Sequence, residues 1–371
     1  MATQAKKSDK EVNKMSRELI NLVEAYENKY GDKRTAHQEI GKKIRSLLES
    51  GKLDVNRISF KGLATELNDK KELSEGLTSS AFPVISSEII SSMIIKGYTE
   101  FPKAGDQLVT TVPSRLKESK IPGWASIGRI REVRERESYS DVNPPTEKYV
   151  RIANKKYGGL MDLTKEDLFF DQTGNLLNEA RKLGMEGARF REELIMNTVI
   201  DALSTALDLG VLYSGGNSNL KTTAPLGTAG WQNVHVSLME KKDDSVPTPK
   251  PVWVMGTRPL MLIPPNLWPT AEKLKRNERG DLGTGNLDVN LAQNMFDIIV
   301  NPYLASGSTT LWYGDFKSQF RWEEVWPLET FTRVGQDTEQ GFNNDVIQQF
   351  KVSLFGGCGA TDTRYVYENL A

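Results

Sequence analysis

The stretch "GNLLNEARKLGMEGARFREELIMNTVIDAL", residues 174–203, decides the architecture. Leu176, Ala180, Leu183, Gly187, Phe190 and Leu194 recur at alternating steps of four and three, the spacing that lines one face of an α-helix. At about 1.5 Å per residue the run predicts a single helix of roughly 45 Å. Gly184 and Gly187 each cost about 1 kcal/mol against Ala inside a helix, so their presence predicts close approach of another backbone. Just upstream, "TKEDLFFDQTGN" (164–175) groups Glu166, Asp167 and Asp171. Such a group could serve acid–base chemistry or hold a cation. Capping accounts for it better: Thr164, Glu166 and Asp167 suit the start of a short helix, and Asp171 or Thr173 that of the long one.

Moving toward the N-terminus, residues 113–157 have an unusual pattern. "GRIREVRERE" (128–137) alternates with period two, yet both faces carry charge: Arg129, Arg131, Glu135 and Glu137 on one, and Ile130, Glu132, Arg134 and Arg136 on the other. A strand of this kind has no apolar core face. "EKYVRIANKKYGG" (147–159) returns after the turn-rich "SYSDVNPPT", so the segment reads as a long antiparallel hairpin leaving the body of the protein. A two-stranded ribbon is marginal in water by itself, so it either rests on another subunit or folds back as a charged edge strand. Before it, Ile85, Ile89, Met93 and Ile94 share a helix face that Gly97 can end, and "DQLVTTVPS" (106–114) alternates like a strand. Residues 1–76 carry two or three amphipathic helices on Leu19, Leu22, Ile40, Ile44, Leu63 and Leu67. They form either a small domain packed on the rest or a detachable, assembly-directing arm.

Toward the C-terminus, "PVWVMGTRPLMLI" (251–263) reads as a strand stopped by Pro264 and Pro265, which cannot donate ladder hydrogen bonds. A helix then restarts with Asn266 as its cap, Pro269 in its first turn and an exposed Trp268. "NMFDIIVNPYL" and "TTLWYGDF" read as strands, and "VIQQFKVSLFGGCGATDTRYVY" (346–367) as two strands around a glycine turn.

Composition excludes several classes of function. With 48 Lys+Arg against 49 Asp+Glu, the net charge of −1 gives no field to draw in nucleic acid or an acidic membrane. One cysteine, Cys358, rules out an internal disulfide framework and fits a reducing cytosol; no secretory signal or membrane-spanning run is present. Only His37 and His235 exist, so histidine catalysis and multi-histidine metal sites lack material. "ERGDLGTGNLD" (278–288) lacks the third glycine of a dinucleotide fingerprint, and "FGGCGA" offers Cys358 no base. No catalytic, cofactor-binding or metal residues are assigned, and no cofactor is expected.

In segment order the chain resembles the major capsid proteins of tailed bacteriophages, of the Hong Kong ninety-seven type, and particularly the Mu-like head subunits. The matching phrases are "FPVISSEIISSMIIKGY", "KYGGLMDLTKEDLFFDQTGNLLNEARKLG", "LMLIPPNLWPTAEKL", "IIVNPYLASGSTTLWYGDF" and "FKVSLFGGCGATDTRYVY". The chain departs from the pattern at Asp362, Thr363 and Arg364, where relatives often carry an aromatic after the aspartate. The resemblance implies an α+β fold with a long spine helix, an extended hairpin loop, peripheral and axial domains, and a helical N-terminal region. It divides the chain into a helical arm or scaffolding-like region (1–76), an N-arm helix and strand (77–112), the extended loop (113–157), a peripheral domain with the spine helix (158–244), an axial domain (245–345), and C-terminal strands returning to the peripheral domain (346–371).

The expected function is structural rather than enzymatic. The chain would be a head subunit assembling as hexamers and pentamers into an icosahedral shell around double-stranded DNA. The host cytoplasm is the expected place of assembly and the virion capsid its destination. The expected partners are further copies of the chain, scaffolding, portal and decoration proteins, and non-specifically held DNA, but no membrane. Trp124, Arg129, Arg131, Glu132, Arg134, Glu135, Arg136 and Glu137 are the candidate inter-subunit residues, the charges setting register and Trp124 anchoring the loop. The alternatives are an encapsulin-like nanocompartment shell and a soluble carboxylate-dependent hydrolase.

Overall fold

The computed structural model describes residues 18–19, 21–22, 25–26, 28–30, 33–50, 53, 81–122, 132–139, 149–170, 175–202, 204, 206, 210–222, 225–243, 249–252, 258–277, 290–305, 307–334 and 339–370. It is an α+β fold that divides into two compact units. The first comprises 1–102, 156–189 and 328–354; the second comprises 103–155, 190–327 and 355–371. The helices used below are α1 (Lys33–Glu49), α2 (Ala81–Glu100), α3 (Lys165–Phe170), α4 (Asn175–Val199), α5 (Thr228–Glu240) and α6 (Trp268–Arg276). The strands are β1 (Thr110–Pro113), β2 (Glu118–Pro122), β3 (Tyr149–Ala153), β4 (Lys155–Thr164), β5 (Leu220–Lys221), β6 (Lys242–Asp243), β7 (Lys250–Pro251), β8 (Leu260–Ile263), β9 (Asp297–Val300), β10 (Leu311–Gly314), β11 (Phe320–Val334), β12 (Val346–Ala360) and β13 (Val366–Asn369). Four of these line up as β1-β11-β12-β4, with β1 parallel to β11, and five as β5-β13-β10-β8-β9.

In the first unit, α2 is apolar around most of its circumference and is buried accordingly: Ile85, Ile89, Ile90 and Ile94 are fully inaccessible. Leu19, Ala36, Ile40 and Ile44 join the same core, as do Leu163, Leu176, Leu177, Ile347 and Phe350. The described part of the N-terminal region is thus packed within the first unit. Gly97 does not end α2, which continues to Glu100; it is a crossing point instead. A Cβ there would lie 2.1 Å from the Arg181 carbonyl oxygen, and one on Gly184 would lie 1.9 Å from that of Ile94. The two glycines thus bring the backbones of α2 and α4 together.

The buried face of α4 starts as its apolar spacing predicts, at Leu176 and Ala180, and turns away from it further along the helix. Phe190 is exposed and Leu183 half-buried, while Leu177, Ala180, Gly184 and Ala188 are buried. Small residues permit the backbone approach that larger ones would block, so contact follows them rather than hydrophobicity. The helix stops at Val199, short of residue 203, where Asp201 and Ser204 take left-handed φ of 52° and 51°.

In the second unit, β8 ends where the prolines dictate. A 3-10 turn over Pro265–Leu267 leads into α6. Asn266 does not cap the helix; its Nδ2 donates to the Ser308 carbonyl at 2.9 Å. Helices α5 and α6 supply Trp231, Val234, Leu238, Ala271 and Leu274 to a core completed by Met261, Ile263, Phe296, Leu311, Tyr313 and Tyr367.

The chain does not turn at its C-terminal glycines. β12 runs unbroken through Gly356, Gly357 and Gly359, and the turn falls at 361–365. The glycines mark close neighbours. A Cβ on Gly356 would meet the Glu323 carbonyl oxygen at 2.6 Å, and one on Gly357 that of Ala153 at 2.7 Å.

Candidate assembly surface

The hairpin expected over 113–157 begins as β2 paired antiparallel with β3, Glu118 opposite Ala153 and Pro122 opposite Tyr149. Its base lies on its own unit because β3 alternates exposed and buried residues, sending Val150 and Ile152 inward. Ile152 packs against the backbone at Gly359, where an added Cβ would meet it at 2.8 Å.

Polar contacts fix the root. The buried carboxylate of Glu323 accepts from Ser119 Oγ and, at 3.1 Å, from Asn154 Nδ2, while Asn154 Nδ2 also donates to the Leu116 carbonyl at 2.8 Å. Sequence reading missed Glu323 because it sits in β11, far along the chain. The entirely polar ribbon is corrected at this end: the root is self-sufficient, and the charged segment lies beyond it.

Glu132, Arg134, Glu135, Arg136 and Glu137 are all exposed. They do not continue a strand. Residues 134–137 make a turn in which the Glu137 amide donates to the Arg134 carbonyl at 3.0 Å and the Arg134 amide to Glu137 Oε2 at 3.1 Å. Arg136 adopts a left-handed φ of 70°. Local hydrogen bonding of this kind competes with ladder pairing, which explains the broken alternation. Trp124, Arg129 and Arg131 lie outside the described residues.

The residues considered for chemistry have structural occupations. Asp167 Oδ2 accepts from Thr164 Oγ1 at 2.7 Å, and the Asp167 amide donates back to that hydroxyl at 3.1 Å, a reciprocal cap at the start of α3. Asp171, the His37 side chain and the 278–288 loop lie outside the described residues. His235 stacks on Trp231 at 4.9 Å, its Nδ1 is 2.9 Å from Tyr313 Oη, and burial holds its pKa below the usual value. The Cys358 thiol faces inward beside Thr198, and burial pushes it up to about 12, far from a reactive thiolate. Among the described residues no group of His, Cys, Asp and Glu could hold a metal, and no helix is long and apolar enough to cross a membrane.

Among the described residues Glu368 is the carboxyl most displaced from its ordinary range. Burial, and then the charge of Asp201, push it up to about 7. The folded protein therefore holds this proton more tightly than the unfolded chain does. The resulting stability is full below the ordinary value of 4.5 and is lost as pH rises through about 7. Glu368→Gln should flatten urea-unfolding stability between pH 5 and 8 and gain on the order of 2 kcal/mol at pH 8. An unchanged pH slope would contradict this.

The profile of the family described as "Phage capsid protein" matches residues 148–369, more than half of the chain. No curated protein matches. Among solved structures, the chain is similar to the capsid of the native GTA particle, at 11% identity over 71% of this chain and 89% of that one, with a TM-score of 0.48. It is also similar to the capsid of cyanophage P-SCSP1u, at 13% over 73% and 88% with a TM-score of 0.45. The virus-like particle from Pyrococcus furiosus gives 12% over 77% and 99% with a TM-score of 0.44. Neither partner nor chemistry follows from likeness at this level. The family match extends from the hairpin's return strand to β13, and on it the chain belongs to the phage capsid protein family.

Proposed function

We propose that the chain forms hexamers and pentamers that close into an icosahedral head around double-stranded DNA, with the charged tip of the hairpin reaching a neighbouring copy. The observation that carries this reading is the contrast within the hairpin. Its root is clamped by Glu323, whereas Glu132, Arg134, Glu135, Arg136 and Glu137 stand exposed in a turn whose described hydrogen bonds stay inside it. Exposed ion pairs contribute little singly, so the tip sets register while repetition around a closed shell supplies stability. Arg129, Arg131 and Trp124 complete the contact in this reading. The segment 113–157 acts as the extended loop, 158–244 as a peripheral domain on α4, 245–345 as an axial domain and 346–371 as strands returning to the peripheral one. Residues 1–76 and 77–112 act as a helical arm and the segment joining it to the loop. Assembly takes place in the host cytoplasm with scaffolding, portal and decoration proteins, and the subunit has no catalytic task.

Reversing three charges together (Arg131→Glu, Arg134→Glu, Arg136→Glu) should abolish shells in electron micrographs while leaving folded subunits of unchanged circular dichroism. Arg134 and Arg136 are exposed and carry no core, so folding should survive. Normal heads from the triple variant would remove the tip from assembly.

A further inference from the structure

The second unit carries an exposed apolar projection and an open apolar cleft, associated with opposite ends of one helix. At the N-terminal end of α6, Trp268 is 49% exposed, flanked by the exposed and uncharged Pro265, Asn266, Pro269 and Thr270. At the C-terminal end, Asn290 Nδ2 donates to the carbonyls of Leu274 at 2.6 Å and Asn277 at 2.8 Å. These bonds fix the segment that follows, whose Leu291 and Met295 form one wall of a cleft of about 710 Å³. Trp231, Val236 and Met239 supply the rest of its apolar lining, Gln232, Asn233, His235 and Ser237 are its polar members, and Lys221, whose Nζ lies 6.0 Å over the Tyr367 ring, is its cation. Leu291 is 64% and Val236 43% exposed at the rim. The nine residues of α6 span about 12 Å, with Trp268 in its first turn and the segment held by Asn290 at its last.

Resting on the assembly reading above, we infer that Trp268 of one copy enters the cleft of the next. The two surfaces match in chemistry. The projection is a tryptophan amid residues without charge, as interface centres tend to be, and the cleft is apolar with a cation able to face an inserted indole. They also match in geometry. A projection and a recess at different places on one unit make a head-to-tail contact, and such contacts close into rings when the rotation between copies permits. One tryptophan buries only about 150–250 Å², which is too little to hold a lone pair of subunits but is repeated at every position of a closed ring.

The test mixes full-length Trp268→Cys chains with Leu291→Cys chains under mild oxidation, with the wild type carrying Cys358 alone as the blank. A disulfide-linked heterodimer, absent from the blank and from either variant alone, supports the contact. Both positions are exposed, so circular dichroism should report unchanged folding. In parallel, Trp268→Ala and Leu291→Glu should each lower particle yield at least about tenfold, as expected for loss of a buried aromatic anchor. If the wild type forms particles but the variants assemble equally well and no heterodimer appears, this inference fails while the capsid reading stands. It fails in the same way if native mass spectrometry shows a small apolar molecule retained in the cleft without a heterodimer. Wild-type protein that forms no oligomer at any concentration overturns both.

Discussion

Gly184→Ala should cost about 3 kcal/mol or more, enough to leave little soluble protein, although helix propensity alone predicts a gain of about 1 kcal/mol for this exchange. The added methyl would sit 1.9 Å from the Ile94 carbonyl oxygen and 3.0 Å from the Tyr98 amide nitrogen. Those are backbone atoms inside α2 and cannot rotate away, so the two helices must separate and the core around Ile89, Ile90, Met93, Ala180 and Leu177 must open with them. Gly187, three residues along the same helix, supplies the internal control. A Cβ there meets the Leu328 Cδ1 at 3.1 Å, the end of a side chain that can change rotamer. Gly187→Ala should therefore be neutral or stabilising by a few tenths of a kcal/mol. Denaturant midpoints of the two variants decide the matter: equal stability would mean that α2 and α4 do not cross backbone to backbone.

That contrast also marks how far the sequence could be read. The helix itself was legible because its spacing persists over many turns, and observed ends at Asn175 and Val199 lie close to the expected 174 and 203. Its buried side was legible in part: Leu176, Ala180 and the close approach at Gly184 follow from the spacing and the glycines, but Ala188 adds little to a hydrophobic pattern, and charged residues such as Arg191 and Glu192 are rarely buried unless paired. Both are nevertheless buried in the second unit, where the Arg191 Nη1 donates to Asp106 Oδ1 at 2.6 Å and Glu192 Oε1 accepts from the Gly105 amide at 2.7 Å. These partners lie more than eighty residues away. Long-range pairing of this kind leaves no local trace.

The hairpin shows the same division. Val150 and Ile152 announced a strand, and the strand is present; the turn at 134–137 was hidden because alternating charges imitate period two even where side chains bond to the backbone. The run of glycines near the C-terminus misled in the other direction. Glycine serves both turns and close packing, and only the neighbours distinguish the two.

What replaces the expected glycine turn leads to the second large effect: Arg364→Leu should destabilise the second unit by about 3–5 kcal/mol. Asp362 organises the link between β12 and β13 by accepting from the amides of Thr363 at 2.6 Å and Arg364 at 3.0 Å. Arg364 grips the same carboxylate with Nη2 at 2.7 Å and Nε at 2.9 Å, and reaches Asp243 of β6 with Nη1 at 2.8 Å. The three side chains are only 9%, 12% and 5% exposed. Burial works against the charge of Arg364, but the hydrogen bonds and charges of Asp362 and Asp243 outweigh it and hold the guanidinium above its ordinary pKa. Removing the arginine strands two buried carboxylates together, the arrangement in which a broken ion network costs most. Lysine should not substitute, because a single ammonium cannot span both acids as the planar fork does. Arg364→Leu combined with Asp243→Asn should recover part of the loss, since one of the two stranded charges is gone. Asp362, Thr363 and Arg364 thus have a physical role: a charged clasp holds the link between β12 and β13. Urea titrations showing Arg364→Leu within about 0.5 kcal/mol of the wild type, the range of an ordinary surface change, would reduce that clasp to decoration.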